Sequence, residues 1–267
     1  DIAAILYRKE TYDFAKNIYV VGTTQELHFR QVFSVVKKMG YDFADDCIHV
    51  GFGLVKFPDG KMSTRDGEVV YLKDLLDESV AKTEAIIRAN NEERQTPMTD
   101  DEIASTAETI GIGAVVHTFV KQSRERDIIF SWDEMLDFEG DTAPYLQYTY
   151  ARARSILRRA ETAELQEPAT ETDEATAHAI EEAEFVLAKA LADLPAAIRS
   201  ARATYEPSMI TRQLGVLARA FNSFYHRAPI LKASEADRKR RLDLCSASCQ
   251  ALQNGLYLLG IGTVERM

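Results

Sequence analysis

The chain is 267 residues long, 46% hydrophobic and 28% charged, and carries a formal net charge of −10 at pH 7. That length suits two modules rather than one small core, and the composition is that of an ordinary soluble globular protein. No apolar run reaches membrane-span length and no charged stretch leads into an apolar signal-like segment, so a membrane role is not expected.

In chain order, Ile18-Tyr19-Val20-Val21 predicts a short buried parallel strand ended by Gly22. A helix is expected over 27–39, with Phe29, Val32, Val36 and Met39 on one side and Gly40 as its stop. Residues 47–50 form the next strand. Two strands joined by a crossover helix are the repeating unit of a doubly wound sheet. Beyond Leu72 the pattern is helical: an amphipathic helix over 74–90, a polar turn over 90–97, an N-cap at Thr99 followed by acids, and a short buried helix over 110–119. Residues 128–140 read as an irregular connection.

An antiparallel helix bundle follows. Its apolar stripes are Leu146, Tyr150, Ala153 and Leu157; Leu187, Leu191, Leu194 and Ile198; Ile210, Leu214, Leu217, Phe221 and Phe224; and Cys249, Leu252, Leu256 and Leu259. Pro195 predicts a kink or break in the second helix. Residues 161–176, rich in Pro, Thr and Glu, read as a mobile loop. Cys47, Cys245 and Cys249 fit a reduced cytosolic protein. Cys245 and Cys249 stand on an apolar face with no CxxC pair or nearby His, so they read as core and no structural metal is expected.

The acidic total at first argues against a nucleic-acid partner. Residues 145–267, however, hold 16 Lys/Arg and 15 Asp/Glu, and nine of those acids lie between Glu161 and Glu184, where no Lys or Arg occurs. A basic face beside an acidic connector fits RNA binding.

The loop Asp59-Gly60-Lys61-Met62-Ser63-Thr64-Arg65-Asp66-Gly67 follows the carboxyl end of the small sheet, where open α/β sheets bind ligands. Alone, it reads as a solvated turn. It is not a P-loop, because Met62 follows Gly60-Lys61. Gly51-Phe52-Gly53 is followed by Leu-Val-Lys, so the dinucleotide fingerprint fails as well. In the longer wording from His49 to Arg65, the loop resembles the second signature of class I aminoacyl-tRNA synthetases, in the arginyl-tRNA synthetase version. Asp1-Ile-Ala-Ala, Gln25 within Val-Val-Gly-Thr-Thr-Gln-Glu-Leu-His-Phe, the opening Tyr145-Leu-Gln-Tyr148-Thr-Tyr-Ala-Arg152, and the ending Leu-Leu-Gly-Ile-Gly-Thr-Val-Glu-Arg-Met are similar to that family in the same order.

The resemblance covers the whole chain and implies a C-terminal portion of such an enzyme, since no His-Ile-Gly-His-type first motif is present and the chain opens at Asp1, without Met, inside a patterned segment. It implies a mainly α fold with a small α/β part: the end of a Rossmann-type parallel sheet with the signature loop (1–72), a helical junction (73–142) and a DALR-type anticodon-binding bundle (143–267). Lys61, Ser63, Thr64 and Arg65 would serve adenylate formation. His49, Gly51, Phe52, Gly53, Leu54, Val55, Lys61 and Met62 would hold ATP, accompanied by Mg2+. Asp1 and Gln25 would face the arginine, a carboxylate being suited to the planar guanidinium. Tyr145, Tyr148, Arg152, Arg159, Tyr225 and Met267 would meet the tRNA(Arg) anticodon, where rings and guanidinium groups take unstacked bases. A monomeric, cytoplasmic protein is expected.

Two departures stand out. Thr64 occupies the place of the second signature lysine, with Gly60 where an upstream lysine is common, and Asp141 stands where Asn is usual. The competing readings are a non-catalytic tRNA-binding module, and another class I synthetase such as the cysteinyl enzyme, which wants zinc-ligand cysteines.

Overall fold

The computed structural model describes residues 1–56, 71–91, 96–137, 140–162 and 174–267, with side chains of the last segment described from residue 180. The loop at Lys61 and most of the acidic connector, on which the expectations of an ATP loop and a mobile segment rest, lie outside the described residues. The chain divides into two compact units, one of residues 1–61 and 123–129, the other of 62–122 and 130–267.

In the first unit, helix α1 (Ile2–Tyr12) precedes strand β1 (Asn17–Gly22), which pairs in parallel with β2 (Cys47–Phe52) from Asn17↔Cys47 to Gly22↔Phe52. Helix α2 (Glu26–Lys38) makes the crossover expected between two parallel strands. Its Phe29, Val32 and Val36 close a core with Ile5, Tyr19, Ala44 and Cys47. Met39 does not join them. The helix ends at Lys38, Met39 falls on its C-cap, and its side chain is half exposed before the chain turns at Gly40 with φ 91°. Strand β1 also differs from a fully buried strand: Tyr19 is buried while Ile18 and Val20 are exposed, so one face alone is covered among the described residues. Strand β3 (Val55–Lys56) pairs in parallel with β4 (Ile128–Ile129), which returns residues 123–129 to this unit.

In the second unit, α3 (Leu72–Asn91) packs on α4 (Asp100–Val120), a single helix where two separate helical signals were read. Thr99 and Glu102 form a capping box, each satisfying a backbone N–H of the other. By length and hydropathy α4 matches a membrane span, but Ile103, Ala107, Ile110, Ala114 and Val115 are spent on packing. The connection after it is less irregular than expected, since it contains the turn of helix α5 (Trp132–Met135) capped by Ser131.

Helices α6 (Ala143–Thr162), α7 (Glu174–Thr204), α8 (Ser208–Arg227) and α9 (Glu235–Leu258) form the bundle. Leu146, Tyr150, Ala153, Leu187, Leu214, Leu217, Phe221, Phe224, Cys249, Leu252 and Leu256 share one core. On α6 Ile156 fills the buried place, and Leu157 packs at its margin. Burial pushes the Cys245 and Cys249 thiols up to about 12 and about 11, so both pack as neutral groups. Helix α7 runs through Pro195 without a break. The ring lies on the exposed face, where water can satisfy the carbonyl it leaves without a donor. Glu184 ties α7 to α9, accepting from Arg240 Nε at 2.9 Å and Arg241 Nε at 2.7 Å; Glu184 and Arg241 are buried, and Arg240 is half exposed.

Candidate functional sites

The first candidate site lies at the carboxyl ends of β1 and β2. Asp1 caps the start of α1, and its Oδ2 accepts a hydrogen bond of 2.7 Å from His28 Nε2 on the first turn of α2. Gln25 is exposed in the 3-10 turn that leads into that helix, three residues before His28. His49 on β2 donates from Nε2 to the Val21 carbonyl at 3.0 Å and stacks on Phe29, with ring centroids 5.0 Å apart and planes 16° apart. Its ring is therefore fixed between the strand and the helix.

The backbone after His49 is pinned by residues 124–128. Arg124 donates from Nη1 to the Gly51 carbonyl and accepts from Gly53 N–H at 2.8 Å; Leu54 N–H donates to Asp127 Oδ1 at 2.8 Å, and Ile128 N–H to the Leu54 carbonyl at 2.8 Å. A Cβ on Gly53 would lie 2.3 Å from the Arg126 carbonyl oxygen, so the close approach requires glycine there. Lys56 pairs with Asp127 at 2.6 Å, and its Nζ and the Leu54 N–H hold the Asp127 carboxyl below the usual range. The N–H groups of Gly53 and Leu54 are thus used inside the unit, while the side chains of Phe52 and Leu54 are exposed. Of the other residues expected at this site, Lys61, Met62, Ser63, Thr64 and Arg65 lie outside the described residues.

The second candidate site is on the bundle. Spacing of three and four places Tyr145, Tyr148 and Arg152 along one face of α6. Arg152 is the centre: its Cζ lies 4.5 Å from the Tyr148 ring centroid and 4.9 Å from that of Tyr225 on α8. Two aromatic faces so placed attract a guanidinium electrostatically. The guanidinium is aimed by hydrogen bonds from Nη2 to Tyr148 Oη at 2.7 Å and from Nη1 to Asn222 Oδ1 at 2.5 Å. Asn222 Nδ2 in turn donates to Tyr145 Oη at 3.0 Å and to Thr149 Oγ1 at 3.1 Å.

Tyr148 and Arg152 form the partition between two open clefts. One, of about 610 Å³, is lined by Gly140, Tyr145, Tyr148, Arg152, Arg219, Asn222 and His226. The other, of about 450 Å³, includes Arg159, Tyr225 and Met267. The C-terminal segment is held there by Glu265, which accepts from Arg154 Nε at 2.9 Å, Arg158 Nη1 at 2.9 Å and Tyr150 Oη at 3.3 Å. Arg266 Nη2 adds a bond to the Thr96 carbonyl at 2.7 Å.

The structure therefore brings Tyr145, Tyr148, Arg152 and Tyr225 into one cluster and sets Arg159 and Met267 on the neighbouring cleft. Sequence reading missed His28, Asn222, Arg219, His226 and Glu265. His28 was visible as the third residue after Gln25, and Asn222 as the third before Tyr225, but neither spacing reveals a partner.

Known proteins match both halves. The profile of the class I (R) tRNA synthetase catalytic domain matches residues 1–132, and that of the DALR anticodon-binding domain matches residues 146–267. Together the two profiles describe a class I synthetase catalytic domain followed by a DALR-type anticodon-binding domain. The chain belongs to the arginyl-tRNA synthetase family. It is 50% identical to an arginine–tRNA ligase of Clostridium botulinum (strain Loch Maree / Type A3) over 268 residues, which is 100% of this chain and 45% of the relative. A Clostridium kluyveri arginine–tRNA ligase is 47% identical, with 46% of that protein covered. The chain thus spans about half the length of the curated relatives it matches. Among solved structures, Thermus thermophilus arginyl-tRNA synthetase aligns with a TM-score of 0.78 at 30% identity over 94% of this chain and 41% of that one. The Plasmodium falciparum enzyme aligns at 0.75 and 25% identity, over 100% and 44%.

Proposed function

We propose that this chain is the part of an arginine–tRNA ligase that supplies one side of the arginine and ATP site together with the anticodon-binding bundle. The arginine carboxylate attacks the α-phosphorus of ATP and pyrophosphate leaves; the arginyl group then passes to the terminal ribose of tRNA(Arg). ATP enters with Mg2+ as its counter-ion, and the protein acts as a cytoplasmic monomer.

In this reading Asp1, its Oδ2 steadied by His28, takes the substrate guanidinium as a carboxylate acceptor, and Gln25 on the adjoining turn also faces the arginine. His49 and residues 51–55 form the adenine wall. Because the N–H groups of Gly53 and Leu54 are used internally, the wall acts through shape and through the exposed Phe52 and Leu54 side chains. Lys61 and Arg65 meet charge developing on the phosphates, and Ser63 and Thr64 complete the loop. Tyr145, Tyr148, Arg152, Arg159, Tyr225 and Met267 receive the anticodon.

The observation that carries this reading is the guanidinium of Arg152 held between Tyr148 and Tyr225 at the partition of two clefts. Rings and fixed donors at such a partition suit bases splayed from a loop. The test has two arms. The chain should bind tRNA(Arg) in a filter or anisotropy assay and lose most of that affinity with Arg152→Ala. It should fail to catalyse arginine-dependent ATP–pyrophosphate exchange, lacking the motif that grips the other side of ATP. Exchange by the isolated chain, or equal binding by Arg152→Ala, would sink the corresponding claim.

A further inference from the structure

We propose that Arg219 and His226, on the face of α8 turned into the cleft of about 610 Å³, form a phosphodiester-binding site for RNA, distinct from the stacking partition beside it. The inference rests on the reading of the bundle as an RNA-binding module and adds to it which residues hold the strand rather than the bases.

The bundle sorts its arginines into two groups. Arg154 and Arg158 are neutralised by Glu265, Arg240 and Arg241 by Glu184, Arg227 by Glu182 and Arg266 by Glu102. Arg152 and Arg219 have no carboxylate within ion-pair distance among the described residues, and the same holds for Arg159, Arg199, Arg202, Arg212 and Arg238. Both line the same cleft, and its described lining of seven residues contains no Asp or Glu. In a chain of net charge −10, a cleft with two guanidiniums and an imidazole and no acid among its described lining is a local reversal of sign. Such a reversal attracts a polyanion.

Position supports phosphate over base as the ligand. Arg219, Asn222 and His226 recur three and four apart and share one face of α8. The Tyr148 ring is engaged by Arg152, and the Tyr145 hydroxyl by Asn222, so the groups of this cleft without such a partner in the cluster are Arg219 and His226. The Arg219 guanidinium lies back along its own helix, with Nη1 3.3 Å from where a Gly215 Cβ would sit, and it can swing outward without breaking an ion pair among the described residues. Base stacking then falls to the ring side of the partition. The strand's backbone runs past Arg219 and His226.

The experiment titrates the chain with an anticodon stem-loop RNA at several salt concentrations. Each lost phosphate contact on single-stranded nucleic acid lowers the slope of log K against log salt by about 0.7. Arg219→Ala should lower the slope by about that much and weaken all loop sequences alike, by about tenfold. Arg219→Lys should restore the slope, and His226→Gln should weaken binding while thermal unfolding stays that of the wild type. Wild-type binding with an unchanged slope in both Arg219→Ala and His226→Gln overturns this inference and leaves the RNA-binding reading standing. No RNA binding by the wild type overturns both. Saturable binding of inorganic phosphate that leaves RNA affinity unaffected would mark a small-anion site and overturn the assignment to RNA.

Discussion

The two candidate sites handle their polar groups in opposite ways. At the sheet rim the polar groups are tied down: Asp1 to His28, Gly53 and Leu54 to residues 124–127, and Lys56 to Asp127. On the bundle Arg152 and Arg219 line one cleft without a carboxylate partner among the described residues, while Arg154, Arg158, Arg240 and Arg241 are paired. Tied groups fix shape and exclude alternative geometry. Unpaired guanidiniums keep their full attraction for phosphate, since no internal acid must first be displaced. A rim that must hold small substrates in one pose gains from the first arrangement, and a surface that must capture a long flexible strand gains from the second.

Four experiments, in order of expected effect, would break or sharpen that contrast. Glu184→Ala leaves Arg241, 6% exposed, buried without its acid; a loss of about 3–5 kcal/mol is expected from chemical denaturation. A change below about 1 kcal/mol would mean that the network is dispensable and that pairing says little about design.

His117 comes next. Burial, outweighing the pull of Asp141, pushes it down to about 4, and its Nε2 has no hydrogen-bond partner among the described residues. Unfolded, the group titrates near 6.5, so between 6.5 and 4 the unfolded chain binds more protons than the folded one. Its contribution is complete above pH 6.5 and falls away as the pH drops, by about 3 kcal/mol at the acid end. Unfolding midpoints across that window should slope downward toward acid, and His117→Gln should flatten them. An identical slope in the variant would assign the acid sensitivity to other groups.

Gly53→Ala drives a methyl into the Arg126 carbonyl and should cost about 1–3 kcal/mol in the first unit while leaving tRNA binding intact. Loss of RNA affinity with it would show that the two sites are not independent. The smallest effect is expected from Lys73→Ala, which removes an exposed pair with Asp77 and should leave the unfolding midpoint where it is in the wild type.

Much of the fold was legible beforehand because its signals are local. The crossover unit over 17–52, the capping box at Thr99 and the four bundle stripes follow from periodicity and caps within single elements. Where the reading went wrong, an element's neighbours decided. Met39 was one residue past a helix end, and at Pro195 the helix continues where a break was one of two expected outcomes, the ring lying on an exposed face.

By itself the sequence determined the order of elements, the residues of the signature loop and the aromatic–arginine spacing of α6, all properties of short windows. Tertiary structure alone decided which charges remain available. Asn222 reaches Arg152 across 70 residues, Glu265 takes Arg154 and Arg158 from more than 100 residues away, and Arg124 grips Gly51 across 73. Partners so distant have no period and no local spacing; only packing brings them together. Whether an arginine is neutralised by an acid or left unpaired is therefore a property of the folded surface.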